Sequence, residues 1–406
     1  MSAWVFAPFA HSWTNVRLAP VSRESGPAAY GQIPLFARSG AVPWRWEMLL
    51  LAVMVQRVVR RAKKSFAVAF AVVAAANTRS IAAPANVRAT IELSSGWRFI
   101  QSDAISNAEG VNYPHTDWAT VSVPHTWNRV GYYKPNPEQH INTADSVNKV
   151  QGIGWYRLKF RSPSASGKKA WLEFDAASRV ADVWLNGNKV GEHRGGFSRF
   201  RLNVTPYLVP GGSNLLAVRV DNTQPEPGAS TSDTLPLVGD FFVHGGLYRP
   251  VRLILTDPVH IDMMDFGGPG IYARTTSVDP QGADVRVIAK VVDDSGRSAN
   301  VSVAVTLMDR LGRTAAKSVR HLAWGAGLES TAFQLRVPHA HLWQGVADPY
   351  LYTLRAEVTD GHGVVLDRLD QPFGIRVMRL DPNLGFFLNG KPLHLHGVGL
   401  HQDYEG

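Results

Sequence analysis

The chain has 406 residues, with 42 basic and 33 acidic side chains, a formal charge of +9, and 45% hydrophobic content. That length and composition suit a globular protein with more than one core. The absence of cysteine excludes disulfides, thiolate metal sites and a cysteine nucleophile, and leaves histidine or carboxylate metal sites open.

The charge is unevenly placed. Residues 1–85 hold ten basic side chains against Glu24 and Glu47, a balance of +8, while the other 321 residues carry 32 basic and 31 acidic groups. The basicity therefore belongs to a leader, and nucleic acid is not an expected partner. Residues 57–64 (RVVRRAKK) form a cationic run, and Ser65 to Ala76 is an apolar stretch of 12 residues followed by small residues. A stretch of that length is too short to span a bilayer and suits a signal peptide, with cleavage after Ala76 or Ala82. Met54 stands where translation would start, so 1–53 reads as an over-extended start and 54–85 as the signal peptide. The expected product is exported, periplasmic or secreted, with no membrane attachment after signal removal. The alternative for this stretch is a buried alanine-rich helix with a basic flank.

From 86 to 257 short apolar bursts alternate with Gly, Pro and Asn, and no window keeps a helical period. Trp155 to Phe160 alternates as a half-buried strand does. Val183-Trp184-Leu185, Asn186-Gly187 and Lys189-Val190-Gly191 predict a hairpin with a type I′ turn, which needs positive φ at both central residues. Leu215 to Val220 and Val251 to Leu255 are further strands, and the segment reads as an antiparallel sandwich. Residues 258–376 carry strands at Val285 to Val292, Val301 to Leu307, Thr331 to Val337 and Tyr352 to Val358. Asp293-Asp294 and the sequences after them, and Asp360-Gly361-His362-Gly363, supply turns. About seven strands in this span suit an immunoglobulin-like sandwich. From 377 to 406, Asn389-Gly390 predicts another hairpin and Leu393 to Val398 a strand, which lacks the partner sequence that a core requires.

Several segments resemble glycoside hydrolase family 2, the group of β-galactosidases, β-glucuronidases and β-mannosidases. They are Gly154-Trp155-Tyr156-Arg157, Asp182 to Gly187 with His193 and Gly195-Gly196-Phe197, Asp240-Phe241-Phe242 with Gly246-Leu247-Tyr248-Arg249-Pro250-Val251, Pro349-Tyr350-Leu351-Tyr352, Phe373-Gly374-Ile375-Arg376, and Phe387 to Pro392 with Gly397-Val398 and His401. Six in order make the resemblance specific. It implies a mainly β chain: a jelly-roll sugar-binding domain over 86–257, an immunoglobulin-like sandwich over 258–376, and the opening strand of a (β/α)8 catalytic barrel over 377–406.

Retaining hydrolysis needs two carboxyl groups about 5–5.5 Å apart. The resemblance puts both, as glutamates, on later barrel strands beyond Gly406. The expected reading is thus the N-terminal part of an exported, exo-acting, β-galactosidase-like glycosidase for terminal β-linked sugars (β-galactoside or β-glucuronide), inactive as it stands. The alternatives are a non-catalytic carbohydrate-binding pair of sandwiches and a structural or adhesive pair. Mg2+ or Na+ and a homo-oligomer are compatible with the resemblance.

The resemblance also implies site residues. Asp240 corresponds to an aspartate that reaches the barrel mouth and hydrogen-bonds sugar hydroxyls, a task suited to a carboxylate; otherwise it caps a turn. His401, just after the predicted barrel strand, corresponds to a ring-hydroxyl contact, or else is a surface histidine. Gln151 lies near a family asparagine that touches sugar, or is a solvated loop glutamine. Gly399 and Leu400 depart from the family's asparagine and arginine. His394 and His396 have metal-ligand spacing on the predicted strand but lack further ligands, and read as core histidines. Asp403 and Glu405 read as a solvated pair. Trp155, Trp184 and Tyr248 read as strand-core packing.

Overall fold

A computed structural model describes residues 87–127, 151–164, 166–234, 244–296 and 299–399, and all regular structure among them is strand. The first ten strands are β1 (Ala89–Glu92), β2 (Trp97–Gln101), β3 (Ala119–Val121), β4 (Ile153–Arg161), β5 (Lys169–Phe174), β6 (Val180–Leu185), β7 (Asn188–Arg194), β8 (Phe200–Asn203), β9 (Ser213–Asp221) and β10 (Val251–Thr256). They form an antiparallel β1-β10-β5-β8 sheet and a six-stranded β3-β2-β4-β9-β6-β7 sheet. Trp97, Tyr156, Leu172, Phe174, Leu185, Leu216 and Leu253 fill the core of this sandwich. The β6–β7 hairpin turns as expected, with φ of 53° at Asn186 and 82° at Gly187.

Strand β4 departs from the half-buried expectation. Gly154 through Leu158 are all buried, so both faces of the strand are covered. The segment 102–118 closes the outer face with a small second core of Ala108, Trp118 and Trp155, against which Trp184 packs at a ring distance of 5.6 Å from Trp155. Arg157 is fully buried there. Its guanidinium donates to the carbonyls of Ala108, Gly110 (2.9 Å) and Val111 (3.3 Å) and lies 5.9 Å from the Tyr113 ring. Those carbonyls replace the water that the charge loses.

The second sandwich contains β11 (Val259–Ile261), β12 (Ile271–Asp279), β13 (Gly282–Asp293), β14 (Ala299–Met308), β15 (Thr314–Trp324), β16 (Gly327–Pro338), β17 (Tyr352–Asp360) and β18 (Val365–Phe373). β11 and β12 follow one another along one edge of β13, and β16 takes the other; the facing sheet runs β15-β14-β17-β18. Alternate residues of β13, from Ala283 to Val291, point inward against Val303, Val305, Phe333, Leu335 and Leu354. The fold is mainly β, two successive sandwiches. Asp293 is not a turn residue: it ends β13, fully buried, with Oδ1 accepting from Ser295 N at 2.8 Å. Tyr248 is not on a strand core either; it precedes β10, half-buried, and its hydroxyl donates to Gly196 O.

The tail forms β19 (Met378–Asp381), β20 (Gly385–Leu388) and β21 (Lys391–Pro392), with Asn389 and Gly390 both at positive φ as their hairpin requires. The strand expected at Leu393 to Val398 is not formed. Leu393 N reaches Phe386 O at 2.9 Å, and from there to Gly399 the residues are exposed and outside any ladder. No described strand lies alongside to accept the pairing. His394 and His396 are accordingly exposed, and the core reading of them is wrong.

The two sandwiches meet at several contacts, among them Arg201 donating to Met263 O (3.0 Å) and Gly268 O (2.6 Å), and the carboxylate of Asp367. Asp367 Oδ1 accepts from Arg88 Nε (3.1 Å) and Arg368 N (2.9 Å), and Oδ2 from Arg88 Nη2 (2.7 Å) and Ile261 N (2.8 Å). Arg88 Nη2 also donates to Ile261 O at 3.1 Å. Beside them His260 is buried against Trp171, with Nδ1 3.1 Å from Pro258 O and Nε2 lacking a partner.

Two outcomes follow for stability. Asp367→Ala leaves a nearly buried guanidinium without its counter-charge and is expected to cost about 3–5 kcal/mol in urea unfolding; a loss under 1 kcal/mol contradicts the role given to this carboxylate. Burial lowers the pKa of His125, His193 and His260 below the ordinary 6.5. The unfolded chain therefore binds more protons than the folded one once the pH drops below that value, so stability is full above it and declines as the pH falls. The urea midpoint should fall between pH 7.5 and 5.5, and less so in His260→Phe; a midpoint constant over that range contradicts the assignment.

Candidate functional site

One end of the first sandwich gathers polar and aromatic groups where the chain leaves the sheets. At its centre Trp127 is held between two glycines. A methyl group on Gly154 would come within 2.4 Å of the indole, and one on Gly245 within 2.2 Å, so only glycine lets these backbones approach the ring. Phe99 stacks on Trp127 at 5.9 Å and tilts against Tyr156 at 4.7 Å. Tyr156 is buried, which raises its pKa, and its hydroxyl lies 2.8 Å from His125 Nδ1. His125 N donates to Leu247 O at 2.8 Å, tying this group to the segment that enters β10.

Asp221 and Asn222, which follow the apolar run of β9, organise the neighbouring loop. Asn222 Oδ1 accepts from Gly152 N at 3.0 Å, and Asn222 N donates to Gly152 O at 3.1 Å. The Asp221 side chain is 4% exposed. Oδ1 accepts from Thr223 N (2.9 Å) and Thr223 Oγ1 (2.7 Å); Oδ2 accepts from Arg219 Nη2 (3.0 Å) and Ser230 Oγ. Burial works against its charge, but the Ser230 and Thr223 hydrogen bonds and Arg219 together hold its pKa below the usual aspartate value. Arg179 donates to Thr223 O (3.3 Å) and Thr234 Oγ1, and Arg194 to Ser230 O and Asp233 Oδ1, both at 2.7 Å. Two arginines and Asp221, itself held by Arg219, thus pin the loop 222–234. Sequence reading passed over Asp221, Asn222, Arg179 and Trp127, although a polar Asp-Asn pair closing an apolar strand was a usable signal.

Of the three substrate residues expected from sequence, only Gln151 is described. It is half-buried beside Gly152, and its carbonyl accepts from Gln101 Nε2 at 3.4 Å. Asp240 and His401 lie outside the described residues, as do Asp403 and Glu405. Gln151 and Thr234, six positions before Asp240, both belong to the end organised by Asp221 and Asn222. Among the described residues no group of three His, Asp or Glu side chains is placed to hold a metal ion.

Comparison with known proteins decides the family. The profile for the sugar binding domain of glycosyl hydrolases family 2 matches residues 91–258, and a second profile of that family matches 269–376. The chain belongs to glycosyl hydrolase family 2. A family 2 relative, a beta-glucuronidase of Bacteroides fragilis, is 34% identical over 321 residues, which cover 78% of this chain and 42% of the relative. A beta-galactosidase of Bacteroides ovatus is 32% identical over 331 residues, covering 81% and 36%. Among solved structures, the beta-glucuronidase of Bacteroides uniformis superposes with a TM-score of 0.67 at 28% identity, over 78% of this chain and 36% of that one. This family 2 chain therefore spans less than half the length of the relatives it matches.

Asp221→Ala should strip the loop 222–234 of its central acceptor and leave Arg219 without its closest described carboxylate. A loss of about 3 kcal/mol is expected, with faster amide hydrogen exchange confined to that loop. Unchanged exchange there contradicts the anchoring role.

Proposed function

We propose that this chain supplies the sugar-binding and immunoglobulin-like parts of an exported retaining β-glycosidase for terminal β-glucuronides or β-galactosides, the two activities named for its relatives. The observation that carries this reading is the ordered match of both sandwiches to one hydrolase family. The pinned end of the first sandwich supports it, because a substrate-contacting loop works best on a rigid stem.

The chemistry is assigned to two glutamates on polypeptide beyond Gly406, and Asp240 and His401 to sugar hydroxyls. Several carboxylates of the described residues are held by arginine. Glu173 binds Arg201 (2.7 Å) and Arg252 (3.0 Å), Asp175 binds Arg199 (2.6 Å) and Arg252 (2.7 Å), and Asp221 and Asp367 are filled as described above. Against the effect of burial, the hydrogen bonds from Arg252 and Arg199 hold the pKa of Asp175 below the usual aspartate value, which makes it a poor proton donor at neutral pH. Export is assigned to the basic run and apolar stretch of residues 57–76.

Purified 406-residue chain should release no nitrophenol from 4-nitrophenyl β-glucuronide or β-galactoside above the buffer rate. Turnover that survives purification and disappears in Asp403→Ala or Glu405→Ala contradicts the placement of the catalytic pair.

A further inference from the structure

Two arginines stand side by side on the outer face of the β12–β13–β16 sheet with no acid between them. The register pairs Arg274 of β12 with Arg286 of β13, and Arg286 in turn with Gln334 of β16. Residues directly opposite on one face have Cβ atoms about 5 Å apart, and like charges so placed repel. The carboxylates of this face are committed elsewhere. Asp284, two positions from Arg286, is bound by Arg336 (3.1 Å) and Ser277 (2.6 Å); Asp279 is bound by Arg336 (2.7 Å); Asp265 is bound by Lys290 (2.8 Å) and Tyr272. Among the described residues neither Arg274 nor Arg286 has an ion-pair partner, and Arg286 Nε is buried with no hydrogen-bond acceptor. Arg274 and Gln334, on either side of it, are exposed.

We propose that Arg274, Arg286 and Gln334 form a binding site for the oxyanion group, a carboxylate or sulfate ester, of an acidic saccharide. An oxyanion accepts N–H bonds from guanidinium groups, and one placed between the two arginines cancels their repulsion. The Gln334 carboxamide both donates and accepts, which suits a neighbouring sugar hydroxyl. One register step along the same face, Tyr272 pairs with Ile288. That pair lies about 7 Å from the arginines, with Tyr272 37% exposed and Lys290 Nζ 5.9 Å from its ring, so an aromatic edge and a further cation border the site. The site lies in the second sandwich, on a different sheet from the Trp127 and Asp221 end. Its anion chemistry stands on the charge arrangement alone; that a saccharide carries the anion rests on the family 2 reading.

The test is calorimetric titration of the 406-residue chain with four probes: an oligogalacturonide, a sulfated galacto-oligosaccharide, the neutral galacto-oligosaccharide and inorganic sulfate. One or both acidic saccharides should bind, more weakly at high salt, and the neutral one should not. Arg286→Gln should weaken binding roughly tenfold, Arg274→Gln/Arg286→Gln should abolish it, and Arg286→Lys, which keeps the charge without the fork, should fall between. Lys317→Gln/Arg320→Gln removes the same charge from exposed positions of β15 and should leave affinity unchanged, which separates the site from the overall basicity of the chain. Near-ultraviolet circular dichroism checks folding of each variant.

Equal losses in the two double variants, or wild-type affinity in Arg274→Gln/Arg286→Gln, overturn the site. Binding of inorganic sulfate alone overturns the saccharide assignment. A chain that binds neutral and acidic sugars alike overturns this site while leaving the family 2 reading intact, and failure to bind any probe overturns the proposal outright.

Discussion

The carboxylate of Asp367 has four hydrogen-bond donors and no solvent exposure, and the two sandwiches are joined through it. Two donors come from Arg88 ahead of the first strand, one from the strand that begins the second sandwich, and one from its last strand. A buried carboxylate with every acceptor position filled tolerates little displacement, because any donor that leaves exposes a charge to a low-dielectric surrounding. His260 lies in the same junction with an unsatisfied ring nitrogen, so protonation there would add a cation where Asp367 has no lone pair to offer. Burial disfavours the protonated ring and lowers the His260 pKa, while the Asp367 charge works in the opposite direction.

At the far end of the first sandwich the same physics serves a different purpose. Asp221 and Asn222 close an apolar strand with groups whose hydrogen bonds go outward to the loop 222–234 and to Gly152, and Arg179 and Arg194 complete the anchorage, with Arg219 holding Asp221. Trp127, admitted between Gly154 and Gly245, fixes the depth at which those backbones lie. The result is a rigid stem for loops, which is how binding scaffolds place variable residues. The second sandwich has no such end among its described residues, and its most unusual surface feature is the unneutralised Arg274–Arg286 pair.

Most of the strands were legible because burial is one-sided wherever a sandwich faces water. The alternation in β13 and β17 and the two Asn-Gly hairpins are local signals, and the backbone follows them. β4 was misread because its outer face is sealed by a segment some forty residues earlier, which no period within the strand reveals. The failure at Leu393 to Val398 is the reverse case, a local pattern with strand character and no described neighbour to complete a ladder. Of the expected substrate residues, Gln151 alone can be placed, at the pinned end.

The sequence by itself determined the mainly β class, the positions of most strands and the family resemblance, since alternation, turn chemistry and ordered motifs are all properties of short windows. Only the tertiary structure decided which charges are spent. Whether an arginine is a buried strut like Arg157, a clamp like Arg88 or an unpaired cation like Arg286 depends on groups brought beside it from distant parts of the chain, and composition counts all three alike.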